Sequence, residues 1–274
     1  MSLLGKCYYR IGETRLGHRL ARGMVRTARS FGLLDEFRMP LDSLSMSHEA
    51  VSELMRLWQR IHWSSGDGMM PQPELLAMYQ LACGCDVEGD YVELGAWKGL
   101  TTCYLAAACR VRGRGRVYAV DTFEGTREHN TRYASIEKSG GSTLDEFNRR
   151  ICKAGYEDLV QAEVGYTTRV IERHRDRSIA FLLIDADHSY EGVKADFELW
   201  FPQVAVGGTV VFHDYAMLDG GVRDYVDREV VSRRDIQVAP GNVVPNIFAV
   251  TRAVPQPTHR LADAPFEEAE AMPV

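Results

Sequence analysis

The first chemistry-bearing run is Val92-Glu93-Leu94-Gly95-Ala96-Trp97-Lys98-Gly99-Leu100-Thr101-Thr102, which reads as a strand turning through glycine into a helix. Gly95 and Gly99 would let backbone approach a ligand, and the helix start offers free N–H groups. A dinucleotide fingerprint needs G-x-G-x-x-G to seat a pyrophosphate. Here Trp97 takes the second glycine's place, and Glu93 would repel a diphosphate, so a nicotinamide-dependent oxidoreductase is disfavoured. An acid at that strand end suits a cationic group. The next strand ends in Asp121, placed to accept ribose hydroxyls. A nucleoside with a positively charged amino-acid tail fits both acids, and S-adenosylmethionine is such a molecule. Ala96, Trp97, Thr101, Thr122 and Phe123 flank the two acids and join the expected cofactor site, as does Asp185 after a later strand. Gly165 and Tyr166 follow a third strand, where the glycine permits close approach and the tyrosine could cover the adenine.

A second group stands at later strand ends: Asp185, Asp187 and His188 after one strand, His213 and Asp214 after another. If the methyl group of such a cofactor passed to a hydroxyl, the alcohol would have to lose its proton and would need a base or a metal. Histidine suits a base near neutral pH, which makes His188 and His213 candidates, with Asp185 beside them. Asp187 has a second reading, as a cap for the helix that begins near Ser189. The segment Glu124–Gly141 has no periodicity. Within it, Thr126–Tyr133 would be a lid with Arg127, His129, Arg132 and Tyr133 as polar contacts, or a solvated loop. His18, His48, His62, His174 and His259 have no partner pattern and read as surface residues.

Positioning these groups takes an alternating α/β chain. Strand candidates are 91–94, 117–120, 159–164, 180–184, 209–212, 236–238 and 247–250, with helices at 99–111, 142–154, 167–175 and 189–205. Strands separated by helices imply parallel crossovers, with ligands at the strands' C-terminal ends. The expected fold is α/β: a doubly wound, mostly parallel seven-stranded Rossmann-like sheet with one antiparallel edge strand. Residues 1–85 read as helical, strongly so from Ser47 to His62, and predict a cap over the sheet.

Composition sets the outer bounds. The chain has 274 residues, 45% hydrophobic and 26% charged, as in ordinary globular proteins. It holds no run of 18 apolar residues and no recognisable signal peptide at its start, so a cytoplasmic location is expected. Six scattered cysteines predict free thiols, and Cys83-x-Cys85 is one donor pair without a second. The net charge is −6, yet residues 1–40 carry +5 from eight Lys/Arg against three Asp/Glu. Arg15, Arg19, Arg22, Arg26 and Arg29 share one face of a helix. That face either contacts anionic lipid or an acidic partner, or is simply solvated. The acidic remainder argues against a nucleic-acid partner.

From Tyr91 to Arg252 the sequence resembles the class I S-adenosylmethionine-dependent methyltransferases. Three runs carry a closer resemblance: Asp121-Thr122-Phe123-Glu124-Gly125, Leu183-Ile184-Asp185-Ala186-Asp187-His188-Ser189-Tyr190-Glu191-Gly192 and Gly207-Gly208-Thr209-Val210-Val211-Phe212-His213-Asp214-Tyr215. They are similar to the branch of macrocin-type, cephalosporin-tailoring and rhamnosyl O-methyltransferases. The resemblance implies O-methylation of a hydroxylated small molecule such as a sugar, natural product or glycolipid. It also implies a homo-oligomer and Mg²⁺ held by residues matching Asp185, His213 and Asp214. His213 departs from the branch's pattern of acids, since Mg²⁺ prefers oxygen. Two readings stay open: a cation on Asp185 and Asp214, or a metal-free site with a histidine base. An amine acceptor and a non-methylating nucleoside-binding protein are the alternatives. The resulting division is a cap at 1–85, a methyltransferase domain at 86–255 and an acidic tail at 256–274.

Overall fold

The computed structural model describes residues 46–61, 70–125, 141–216, 220–239 and 244–254. The arginine series 15–29, the lid segment 126–133 and the tail 256–274 lie outside them, as do His18, His62 and His259.

Helix α1 (His48–Arg60) starts where Ser47 Oγ accepts the Ala50 N–H at 3.1 Å. Helix α2 (Gln72–Gly84) carries Pro73 in its first turn, where a missing N–H costs nothing. The Tyr79 hydroxyl donates to the Ala50 carbonyl at 2.7 Å and fastens α2 to α1. Both helices lie over α3 (Leu100–Arg112), whose residues from Leu100 to Cys109 are all buried. Its Ala106, Ala107 and Ala108 have small side chains that let neighbouring elements come close.

The sheet has seven strands: β1 (Asp90–Leu94), β2 (Val117–Asp121), β3 (Val160–Val164), β4 (Ile179–Ile184), β5 (Val204–His213), β6 (Ile236–Val238) and β7 (Ile247–Arg252), in the order β3-β2-β1-β4-β5-β7-β6. The pairs β1–β2, β2–β3, β1–β4 and β4–β5 are parallel, and β7 runs antiparallel to both β5 and β6. This is the predicted Rossmann-like sheet with its antiparallel pair at one edge. The order reverses between β1 and β4, which opens the ligand crevice of such sheets at their C-terminal ends.

Alternation along the strands divides the core in two. Tyr91, Ala119, Phe181, Leu183, Val211 and Ala249 face α1, α2, α3 and α4 (Leu144–Ala154). Val92, Leu94, Val120, Leu182, Val210 and Phe212 face α5 (Thr167–Val170), α6 (Tyr190–Trp200) and α7 (Gly221–Tyr225). Covering both faces explains why β4 reads Ile-Ala-Phe-Leu-Leu-Ile without polar alternation.

Three local expectations change. The predicted helix 167–175 is α-helical only to Val170 and continues as a 3₁₀ turn over Ile171–Arg173. The predicted helix 189–205 ends at Trp200, passes through a 3₁₀ turn at Phe201–Gln203, and β5 begins at Val204. Pro202 lacks the donor and disfavours helix in the residue before it. His174 is buried rather than on the surface, with its ring 4.9 Å from Tyr118 and 5.4 Å from Trp200. Burial holds its pKa below the ordinary value. Its position after a short helix gave no periodicity from which to read this.

Because α1 shares one continuous core with the sheet, damage there should spread through the whole fold. Leu57 is fully buried, so Leu57→Ala should cost about 2–5 kcal/mol. Thermal unfolding followed by circular dichroism and tryptophan fluorescence should show one lowered transition. A separate early transition, with the sheet melting unchanged, would contradict the shared core.

Candidate active site

The turn after β1 is built by close contacts between strand ends. Gly95 has φ +93°, and a Cβ there would meet the Asp185 carbonyl oxygen at 2.1 Å. A Cβ at Gly99, φ +76°, would meet the Phe147 ring at 2.7 Å. On the side where a Cβ would point, the residue after β4 and the Phe147 ring of α4 therefore fill the space. Trp97 and Phe123 also hold left-handed backbone, at φ +47° and +58°. Such bulky residues adopt it only when neighbours fix them.

Asp121 is what fixes them. Its Oδ2 accepts the Trp97 N–H and its Oδ1 accepts the Phe123 N–H, both at 2.7 Å. Burial raises its pKa, while those two amide bonds work against the rise. Each oxygen retains a lone pair for a further donor, so the carboxylate is oriented but not saturated. Glu93 lies deeper, buried, with the Thr102 hydroxyl donating to its Oε2 at 2.5 Å. Burial pushes its pKa up to about 8, and the charges of Asp185 and Asp121 add to the rise. A cation at this turn would reverse that shift.

Across the crevice, the ends of β4 and β5 meet α2. The His213 Nδ1 lies 2.9 Å from Asp185 Oδ1, and its Nε2 lies 2.6 Å from Glu74 Oε2. Both neighbours are carboxylates, which only accept when ionised, so both ring nitrogens carry protons. Burial opposes that charge, but Asp185 first, then Glu74 and Asp214, overcome it and push the pKa to about 11. Asp185 feels the reverse: burial works against its ionisation, yet His213 and His188 hold its pKa below the ordinary value.

His188 Nε2 lies 3.5 Å from Asp185 Oδ1 and 3.2 Å from Asp214 Oδ2. Its pKa is raised by the bond to Asp185, against burial. Asp214 has φ +57°, a conformation aspartate tolerates better than most residues. Asn246 holds it there. The Asn246 Oδ1 accepts the Ala216 N–H at 3.2 Å, so its Nδ2 faces the acids, donating to Asp214 Oδ1 at 3.0 Å and Glu74 Oε2 at 3.4 Å.

The expected residues thus fall into three groups. Glu93, Gly95, Ala96, Trp97 and Asp121 gather at the crevice where the strand order reverses. Asp185, His188 and Asp214 bring one ligand atom each within 4.8 Å of one another, and among the described residues they alone form such a set of three. His213 was expected in that set; its two nitrogens are taken by Asp185 and Glu74, and His188 stands in its place. Other side chains point elsewhere. Phe123 is core, edge-on to Phe147 at 5.2 Å, and offers only its backbone. Thr101 is buried with its Oγ1 3.9 Å from Met70 Sδ. The Thr122 hydroxyl accepts the Glu124 N–H. Gly165 has φ +145° beside Val170, and Tyr166 is 64% exposed, free to lie along a ligand. Asp187 Oδ1 accepts the Ser189 N–H at 2.9 Å, but the cap of α6 is Ser189, whose Oγ accepts the Gly192 N–H at 3.1 Å. Cys85 is buried, and its thiol donates to the Ala180 carbonyl. Sequence reasoning missed Glu74 and Asn246. Neither sits in a motif, and only Asn246's place just before the last strand hinted at the site.

Residues 92–215 match the family model of a methyltransferase domain. A 4'-O-methyltransferase of Streptomyces olivaceus, named for 8-demethyl-8-(2,3-dimethoxy-α-L-rhamnosyl)-tetracenomycin C, is 27% identical over 162 residues. That match covers 53% of this chain and 61% of the relative, so it spans about three-fifths of that enzyme. Among solved structures, the O-methyltransferase NovP superposes with a TM-score of 0.55 at 20% identity, covering 74% of this chain and 88% of its own. The O-methyltransferase TomG of Streptomyces achromogenes, solved with S-adenosylmethionine, gives 0.52 at 16% identity, covering 76% and 91%. These two structures share the fold.

Glu93 makes the turn sensitive to pH. Its pKa is raised from 4.5 to about 8 in the folded chain, so stability from this group falls as pH climbs through that window. Glu93→Gln does not titrate. Its melting temperature should therefore gain on wild type as pH rises from 4.5 towards 8, with no further gain above. A difference independent of pH, read by differential scanning calorimetry, would show that Glu93 ionises normally.

Proposed function

We propose that this chain, whose residues 92–215 match the family model of a methyltransferase domain, is an S-adenosylmethionine-dependent enzyme that methylates a hydroxyl oxygen of a sugar or similar polyhydroxylated small molecule. The observation that carries the reading is the convergence of Asp185, His188 and Asp214 at the ends of β4 and β5, across the crevice from the Glu93–Asp121 turn. The rhamnosyl O-methyltransferase relative supports a sugar hydroxyl as acceptor.

Asp121 is pre-oriented by two amides, so it binds ribose hydroxyls without first having to order itself. Glu93 faces the cationic end of the cofactor, where burial strengthens the attraction. The acceptor oxygen attacks the methyl carbon in line with the C–S bond. That bond breaks with its electron pair going to sulfur, and S-adenosylhomocysteine leaves. Where no cation occupies these residues, the hydroxyl proton passes to the Asp185–His188 pair, whose carboxylate stabilises the imidazolium that forms.

The same three residues fit a divalent cation, since two carboxylates and one imidazole make a mixed donor set. Such a set suits Mn²⁺, Fe²⁺ or Zn²⁺ better than Mg²⁺. When bound, a cation there supplies Lewis acidity that lowers the pKa of a hydroxyl.

The test measures transfer to sugar acceptors after exhaustive chelation, and again with Mg²⁺, Mn²⁺ or Zn²⁺ restored, in wild type and Asp214→Asn. Chelation and Asp214→Asn should each cut the rate about 100-fold or more. Full activity in chelator with an unaffected Asp214→Asn would remove the cation and leave the histidine base. Methyl found on nitrogen by NMR of the product would overturn the hydroxyl acceptor.

A further inference from the structure

Glu74 sits in the first turn of α2, 139 residues before His213 and 172 before Asn246, yet it contacts both. It is buried, and a carboxylate out of water is costly unless fully paired. Its hydrogen bonds to His213 and Asn246 both lead to acids of the reactive cluster. His213 links Glu74 to Asp185, and Asn246 links Glu74 to Asp214.

We propose that Glu74 is a positioning residue: acting through His213 and Asn246, it sets the orientation of Asp185 and Asp214. This rests on the methyl-transfer reading above. An imidazole anchored at one nitrogen can still swing about its Cβ–Cγ bond. Anchored at both, by Glu74 on one side and Asp185 on the other, its plane is set. Asp185 Oδ1 then receives both His213 and His188, which fixes how the carboxylate faces the crevice. The Asn246 amide is likewise set at one end by the Ala216 N–H, and its other end spans Glu74 and Asp214. One side chain on α2 therefore ties down both acids, and a displacement of about 1 Å at a reacting group can cost on the order of 100-fold in rate. The N-terminal helices thereby belong to the reactive centre as well as to the core.

A purely structural role would lower stability without changing turnover in the protein that remains folded. The experiment compares Glu74→Gln, Glu74→Ala, His213→Asn and Glu74→Ala/His213→Asn as full-length chains. It measures melting temperature, S-adenosylhomocysteine affinity by calorimetry, kcat and KM, and adds a crystal structure of Glu74→Ala or, should that variant not fold, of Glu74→Gln. Expected are unchanged S-adenosylhomocysteine affinity and a kcat lowered about 10–100-fold in Glu74→Ala. The loss should be smaller in Glu74→Gln, which keeps one acceptor. The double variant should lose less than the product of the two single losses, its extra loss over His213→Asn being the share that runs through Asn246, and His213 should have left its position against Asp185 in the crystal. Unchanged kcat, full additivity in the double variant, or an unmoved His213 would each overturn the proposal. Wild type that transfers no methyl would refute the functional reading instead, and the crystal position of His213 would still decide for or against Glu74.

Discussion

A buried imidazolium between two carboxylates is the constraint around which this molecule is arranged. His213, at the end of β5, is charged only because Asp185 and Glu74 face its two nitrogens. Taking three charges out of water is expensive, and the attraction between them offsets that cost only when the geometry is good and the remaining lone pairs are satisfied. Asn246 and His188 supply those remaining partners. Such a cluster adds little net stability, but it tolerates few arrangements. It requires α2, β4, β5 and the segment before β7 to meet at one point, and so it pins the N-terminal helices to the C-terminal edge of the sheet.

The crevice opposite is held by a different device. Asp121 joins the turns after β1 and β2 through two amide bonds and keeps two bulky residues in left-handed backbone. Strain of roughly 1–3 kcal/mol per such residue persists only where the surroundings over-determine it. Trp97 and Phe123, together with Asp214, all lie at strand C-terminal ends around the same opening. A ligand arriving there meets acceptors already aimed, which is what lets fixed charges favour a transition state without reorganising.

Both devices depend on a stiff support. The sheet is covered on both faces, and α3 is buried along most of its length between the sheet and the first two helices. Interiors packed to this degree transmit displacement and do not absorb it. Glu53 shows how thoroughly the N-terminal helices are fastened. It is buried on α1, accepts the Tyr156 hydroxyl at 2.9 Å and pairs with Arg56 at 2.8 Å.

What the sequence by itself determined is whatever depends on near neighbours along the chain. Apolar runs of strand length, separated by helical periods, define the seven strands and their parallel crossovers. The topology then carries Glu93, Asp121, Asp185, His188 and Asp214 to one edge, because each closely follows or ends a strand. The Ser47 cap was legible for the same reason, being a bond across three residues. Tertiary structure alone decided which imidazole faces the crevice. His188 and His213 are equivalent in the sequence, both standing beside an acid at a strand end, and only Glu74, arriving from 139 residues away, takes the second nitrogen of one of them. It also decided that Phe123 is core and that the two glycines make room for Asp185 and Phe147. Side-chain direction and long-range contact settle such matters, and no spacing along the chain encodes either.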